Sequence, residues 1–249
     1  MIVDWYFDFV SPFAYLQSER LASLPPRMQI RYRPVLFAAL LDANGQKGPA
    51  EITAKRRFTY RFVVWQARKL GIPLKFPHEH PFNPLPLLRL AIACECAPDA
   101  VHRIFRFVWR DGRLPDLPIE WAELTHDLAL PDAGARIASP EVKDALRRNT
   151  DEAIARGVFG VPTLAVGDEL FWGLDATPLS RLAATPTALL SFLLIRVLAQ
   201  FVRTKARLRC PEAVPSAVPQ RPLHYISAKR GARQCLSHFC ARICRVGQW

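Results

Sequence analysis

The sequence predicts an α/β fold, with a strand–helix–strand half and a later strand–strand–helix half separated by a large all-helical insertion. Three stretches carry this expectation. Ile2-Val3-Asp4-Trp5-Tyr6-Phe7 is dominated by aromatic and β-branched residues, as a buried strand is. From Ala50 to about Thr150 apolar residues recur at helical spacing. Gly157-Val158-Phe159-Gly160-Val161-Pro162-Thr163-Leu164-Ala165-Val166 then brings a glycine-punctuated turn into a second strand.

After the first strand, Ser11 stands where a helix begins. Serine is a favoured N-cap, and Pro12 falls at the first helical position, where its missing N–H costs nothing. Phe13, Leu16 and Leu21, flanked by Ala14 and Tyr15, form the apolar side of that helix. Ser11 is thereby placed at the positive end of a helix directly after a buried strand, a place that stabilises an anion. The same Ser-Pro pair also serves simply to start a helix. Pro25-Pro26 breaks the pattern, and Met28–Leu36 reads as a strand with Met28, Ile30 and Tyr32 on one face. Strand, helix and strand at this spacing predict a right-handed βαβ unit with parallel strands.

Asn44-Gly45 and Gly48-Pro49 mark Asp42–Pro49 as a loop. Helices are predicted over Ile52–Leu70, closed by Gly71, and over Leu87–Ala97, Asp99–Arg110, Trp121–Leu128 and Pro140–Arg156. Asp99 is expected to cap the third of these, whose stripe is Val101, Ile104, Phe105 and Val108. Lys55-Arg56-Arg57, with Arg61, reads as a solvated face. Pro73–Pro86 is too rich in proline for a helix, and His78 and His80 within it read as solvated loop residues. Cys94 and Cys96 read as helical core and surface cysteines. Past Pro162, expected as the first residue of its strand, Gly167-Asp168-Glu169 is a tight turn and Leu170-Phe171-Trp172 a short return strand. Asp175 suits the cap of a last helix.

The tetrad Ser11-Pro12-Phe13-Ala14, opening a helix after a strand, resembles the active-site turn of thioredoxin-like proteins. In DsbA-type oxidoreductases both outer positions are cysteine. Here they are Ser11 and Ala14, so dithiol chemistry is excluded at this site. The serine form is similar to the 2-hydroxychromene-2-carboxylate isomerases and the related kappa-class glutathione transferases. The resemblance covers roughly Met1 to Pro178. It implies a thioredoxin-like domain made of residues 1–40 and 157–202, a helical insertion domain over 41–156, and a cis Val161–Pro162 bond facing the active-site turn. It also implies a glutathione site in which the Ser11 hydroxyl faces the thiol and the peptide pairs with the backbone of Val161 and Pro162. Trp172, Gly173, Leu174 and Asp175 meet the γ-glutamyl end, Lys55 and Asn44 the glycyl end and backbone, and Phe82 and Asn83 the substrate. The implied activity is a glutathione-dependent isomerisation of a small aromatic carboxylate. In it a thiolate adds to the chromene, the ring opens, a bond rotates and the thiolate leaves. The resemblance allows a homodimer.

The totals limit the alternatives. The net charge of +12 is uneven: of 34 lysines and arginines, 12 follow Pro178, where Glu212 is the one acidic residue. A near-neutral body does not suit a general polyanion binder, so nucleic acid is not expected as its partner. Asp4 and Asp8 interrupt the N-terminal apolar run and no basic segment precedes it, so the expected location is cytoplasmic. Six cysteines in 249 residues do not make a disulfide framework. Arg181, Arg196 and Thr185-Pro186 make the apolar stretch Leu179–Val202 a poor membrane span. Cys235, His238, Cys240 and Cys244 lack a zinc-site spacing, and no metal is expected. Two rivals remain: a kappa-type transferase using the same site, and a non-catalytic thioredoxin-like binding module docking through its basic tail.

Residues 203–249 combine many arginines with no sustained apolar period, the composition of a disordered or aberrant tail. The preceding apolar stretch has to be buried, most simply as a closing helix. A chain ending near Val202 is therefore expected to fold and stay active, and one ending at Pro178 to aggregate or lose stability. Limited proteolysis and isomerase assays on both lengths check this.

Overall fold

A computed structural model describes residues 1–183. Strand β1 (Ile2–Phe7) leads through a turn into helix α1 (Pro12–Leu21) and on to β2 (Gln29–Pro34). Then come α2 (Phe37–Ala43), a 3-10 turn (Pro49–Glu51), α3 (Thr53–Leu70), α4 (Leu85–Ala93), α5 (Pro98–Trp109), α6 (Pro118–Asp127), α7 (Ala133–Ala138) and α8 (Pro140–Ala155). Strands β3 (Thr163–Val166) and β4 (Glu169–Trp172) and helix α9 (Thr177–Ala183) complete the described fold. The sheet order is β2-β1-β3-β4. β1 runs parallel to β2, with Ile2 opposite Gln29, and antiparallel to β3, with Trp5 opposite Leu164. β4 returns antiparallel to β3. This is the expected thioredoxin-like α/β arrangement.

β1 is central in the sheet, and its alternation serves two layers. Val3, Trp5 and Phe7 enter a core shared with Leu16 of α1, Leu87, Leu88 and Leu90 of α4, and Ile104, Phe105 and Val108 of α5. The Phe105 ring lies 5.6 Å from Phe7 and 4.5 Å from Phe9, so the helices after β2 pack directly on the sheet. Tyr6 enters a second core with Leu40 of α2 and Ala153 of α8. Asp4 points the same way, is 5% exposed, and is held by Arg31, Arg33 and Arg156. Burial pushes its pKa up, but the bonds from Arg31 and Arg156 hold the carboxyl below its ordinary value.

Several local expectations need correction. Asp99 does not cap α5: Ala97 holds the cap position, Pro98 starts the helix, and Asp99 pairs one turn on with Arg103 at 2.8 Å. α4 ends at Ala93 because Glu95 and Cys96 adopt φ of 55° and 53°. Cys94 therefore closes that helix and Cys96 lies beyond it. Leu85 and Pro86 form the first turn of α4, where proline has no N–H to lose, so the Pro-rich loop is shorter than expected. β3 starts at Thr163, one residue after Pro162. The seven-residue α2 and six-residue α7 are too short for a periodic signal. The expectations for the segment after Ala183, for the tail over 203–249 and for Cys235, His238, Cys240 and Cys244 lie outside the described residues. No helix among the described residues is long and apolar enough to cross a membrane, and no cluster of metal-ligating side chains is found among them.

The turn from β1 into α1 is tied down by buried polar groups. The Asp8 carboxylate, fully buried, accepts the Val10 N–H at 3.0 Å and the Phe37 N–H at 2.9 Å, joining the turn to α2. Burial raises its pKa from 3.8 to about 7, against the pull of the Val10, Phe37 and Phe9 N–H groups. Gln17 of α1, 0% exposed, accepts the Trp5 indole N–H at 2.6 Å and donates to Thr177 Oγ1 at 2.7 Å and to the Gly173 carbonyl at 3.2 Å.

Two predictions follow from these groups. Gln17→Leu leaves the buried Trp5 indole N–H and the half-buried Gly173 carbonyl without that partner, and is expected to cost about 3 kcal/mol in urea unfolding. A loss under about 1 kcal/mol would show the bridge to be dispensable. For Asp8 the native pKa exceeds the unfolded one, so its contribution is fully present below 3.8 and is lost as pH rises toward about 7. The stability penalty of Asp8→Asn is therefore expected to be largest near pH ~4 and to shrink toward pH ~7 in paired unfolding curves.

Candidate active site

Ser11 occupies the N-cap of α1 with extended backbone, φ −93° and ψ 113°, and Pro12 opens the helix. Its Oγ accepts the Ala14 N–H at 3.3 Å. That bond engages the oxygen as an acceptor and leaves the hydroxyl proton for another partner. Ser11 is only 7% exposed, so the hydroxyl works in a partly dry setting at the positive end of a ten-residue helix. The Tyr15 hydroxyl, one turn on, is spent on the Pro73 carbonyl at 2.7 Å, and burial with the nearby Glu19 raises its pKa to about 12.

The carbonyls before Ser11 are met from the helical layer. The Trp109 indole N–H of α5 donates to the Phe9 carbonyl at 2.8 Å. His80 Nε2 lies 2.8 Å from the Val10 carbonyl. His80 is half-buried, its ring 5.3 Å from that of Trp109 and 6.3 Å from that of Phe82, so its expected place in a solvated loop is corrected. His78 does stay exposed, pairing with Asp116 at 2.9 Å.

The Gly160–Pro162 loop leads into β3. The Val161–Pro162 bond is cis. Thr163 Oγ1 donates to the Gly160 carbonyl at 2.7 Å, and the Gly173 N–H donates to the Pro162 carbonyl at 2.8 Å. A Cβ on Gly160 would come within 2.5 Å of Trp172 Nε1, so glycine is required for the close approach of that indole. Gly173 has φ 93°, and the Asp175 carboxylate lies over it. Among the described residues Asp175 has no ion pair, and the Val161 backbone makes no hydrogen bond. Because Gln17 holds the Gly173 carbonyl, hydrogen bonds run from the Ser11 helix through Gly173 to Pro162.

The structure thus gathers Val161, Pro162, Trp172, Gly173, Leu174 and Asp175 into one corner, linked to α1 through Gln17. Phe82 is 8% exposed and packs behind the turn against His80 and Trp109, while Asn83 Oδ1 is engaged by the Leu85 N–H at 3.1 Å. Asn44 closes α2, its amide donating to the Leu40 carbonyl at 2.8 Å, and Lys55 is exposed in the first turn of α3. Neither makes a hydrogen bond to the corner or to Ser11 among the described residues. Asp8, Gln17, His80 and Trp109 carry no site motif in the sequence. Only Asp8, three positions before a Ser-Pro helix start, left a local signal.

Comparison with known proteins identifies the family. The DSBA-like thioredoxin domain family matches residues 2–183. A 2-hydroxychromene-2-carboxylate isomerase of Pseudomonas putida is 35% identical over 182 residues, covering 70% of this chain and 90% of the relative. Glutathione S-transferase kappa 2 of Caenorhabditis elegans is 27% identical over 183 residues, covering 67% and 81%. A solved structure of 2-hydroxychromene-2-carboxylate isomerase superposes with a TM-score of 0.63 at 29% identity, covering 84% of this chain and 100% of the other. With its Ser-headed helix, its cis-proline corner and these relatives, the chain belongs to the DSBA-like thioredoxin domain family and, within it, to the 2-hydroxychromene-2-carboxylate isomerase family of enzymes.

Proposed function

We propose that this enzyme interconverts a 2-hydroxychromene-2-carboxylate, or a close aromatic relative, with its ring-opened trans-o-hydroxybenzylidenepyruvate form, and that it uses glutathione to do so. The observation that carries the reading is the Ser11 hydroxyl, which accepts from Ala14 and keeps its proton for an anion at the head of α1. The residues present fit glutathione by their chemistry. A γ-glutamyl peptide has an α-ammonium that suits the Asp175 carboxylate, and a backbone that can pair with the unbonded Val161 as an added strand. Lys55 suits the glycyl carboxylate, and Asn44 keeps its carbonyl oxygen for the peptide.

When bound, glutathione supplies a sulfur nucleophile, with a free thiol pKa of about 8.5. The chain's part is to lower that value. Ser11 donates its hydroxyl proton to the sulfur and the helix N-terminus adds a favourable field, both stronger for the anion than for the thiol. Phe82, buried behind the turn against His80 and Trp109, supports the site from behind and offers a planar substrate no open ring face. The kappa-class relative supports a second reading, in which the same activated thiol is conjugated rather than recycled. A binding module with no thiol chemistry is the reading from another class.

Ser11→Ala keeps the small side chain but removes the hydroxyl. Bound glutathione is expected to titrate at higher pH, seen in thiolate absorbance, and turnover to fall by about a hundredfold. An unchanged titration curve would overturn the role of Ser11. Wild-type protein that binds no glutathione in calorimetry leaves the module, and product analysis separates isomer from conjugate.

A further inference from the structure

We propose that His80 is the positioning residue for Ser11: it locks the Val10–Ser11 peptide plane through the Val10 carbonyl, with Tyr60 of α3 locking His80 in turn. The peptide plane has two polar ends. Its N–H, on Ser11, donates to the Asp8 carbonyl at 3.1 Å. Its carbonyl, on Val10, faces His80 Nε2 at 2.8 Å. With both ends held the plane cannot turn, and Ser11 Oγ is aimed by a rigid mount.

The proton positions follow from the partners. A carbonyl only accepts, so Nε2 carries the hydrogen. Nδ1 of the neutral ring is then an acceptor, and the Tyr60 hydroxyl donates to it at 2.6 Å, sharing its one proton with the more distant His80 carbonyl at 3.1 Å. The ring is fixed from the sides by Trp109, Phe82 and Phe76, with centroids 5.3, 6.3 and 6.3 Å away. Burial also lowers the His80 pKa, in keeping with a neutral ring. The residue comes from the loop between α3 and α4 and reaches the mount from the helical layer, across 70 positions of sequence. Losing the donor frees the peptide plane, and misplacing a reacting group by about 1 Å can cost up to roughly a hundredfold in rate.

The inference rests on the proposed glutathione reading only for its effect on turnover; the mount itself is testable in the free protein. Nitrogen NMR of the wild type is expected to show His80 protonated at Nε2 and unprotonated at Nδ1, with the Nδ1 resonance moving in Tyr60→Phe. The Ser11 amide resonance and its hydrogen exchange are expected to change in His80→Leu and to return toward wild type in His80→Gln, whose side-chain amide restores a donor. With glutathione, His80→Leu is expected to raise the pKa of the bound thiol and lower kcat about tenfold while KM for glutathione moves less than about threefold, and His80→Gln to recover most of the loss. A ring protonated at Nδ1 alone, or a folded His80→Leu whose Ser11 amide is unchanged, overturns the proposal. Should His80→Leu not fold, the tautomer and the Tyr60→Phe shift decide. Should the wild type bind no glutathione, the functional reading falls and the free-protein data still decide His80.

Discussion

A single buried amide organises the described fold. Gln17 is sealed from solvent inside α1, yet it must satisfy both an acceptor and a donor group, and it does so with Trp5 near the N-terminus and with Gly173 and Thr177 some 156 and 160 positions away. An unpaired amide at full burial would cost more than most single contacts return, so these bonds are obligatory together. Their geometry brings the helix headed by Ser11, the central strand β1 and the Gly173–Asp175 turn to one place. The Gly173 N–H then reaches the Pro162 carbonyl, and the corner is closed by backbone alone.

The long helical segment after β2 contributes to the Ser11 turn as well as to the bulk of the domain. Its apolar stripe, Ile104, Phe105 and Val108, shares the core of β1, and its polar atoms are used sparingly and near the turn. Trp109 satisfies the Phe9 carbonyl and His80 the Val10 carbonyl, while Asp8 takes two N–H groups from the other side. Each of these polar groups is buried or half-buried and hydrogen-bonded, which is how a short loop is held rigid without secondary structure. The cationic cluster on Asp4 does similar work on the opposite face, where Arg156 at the end of α8 joins β1.

Much of the architecture was legible in the chain because it depends on local rules. The run Ile2–Phe7, the Ser-Pro helix start, Gly71 after α3 and the Gly-Val-Pro approach to β3 each combine a residue type with a backbone conformation it favours. Where such a rule was applied to one residue out of context it misled. Asp99 looked like a cap, but Pro98 had already set the helix start one residue earlier. Cys94 and Cys96 looked helical, but the left-handed backbone of Glu95 and Cys96 ends α4. Short helices such as α2 and α7 have too few turns to show a period.

The candidate corner Val161–Asp175 came from the family resemblance, whereas the sequence alone supplied the order of the strands and longer helices, the position of Ser11 at a helix head and the absence of thiols from the tetrad. Those follow from spacing, capping chemistry and residue identity, all of which act over a few neighbours. Tertiary structure alone decided that His80 leaves the solvent to meet the Val10 carbonyl, that Gln17 is the junction of three distant segments, and that Phe82 lies behind the turn. The His80–Val10 and Gln17–Gly173 and Gln17–Thr177 partners are 70 to 160 positions apart, and a hydrogen bond between them is dictated by their meeting away from water in the folded chain, which no local pattern encodes.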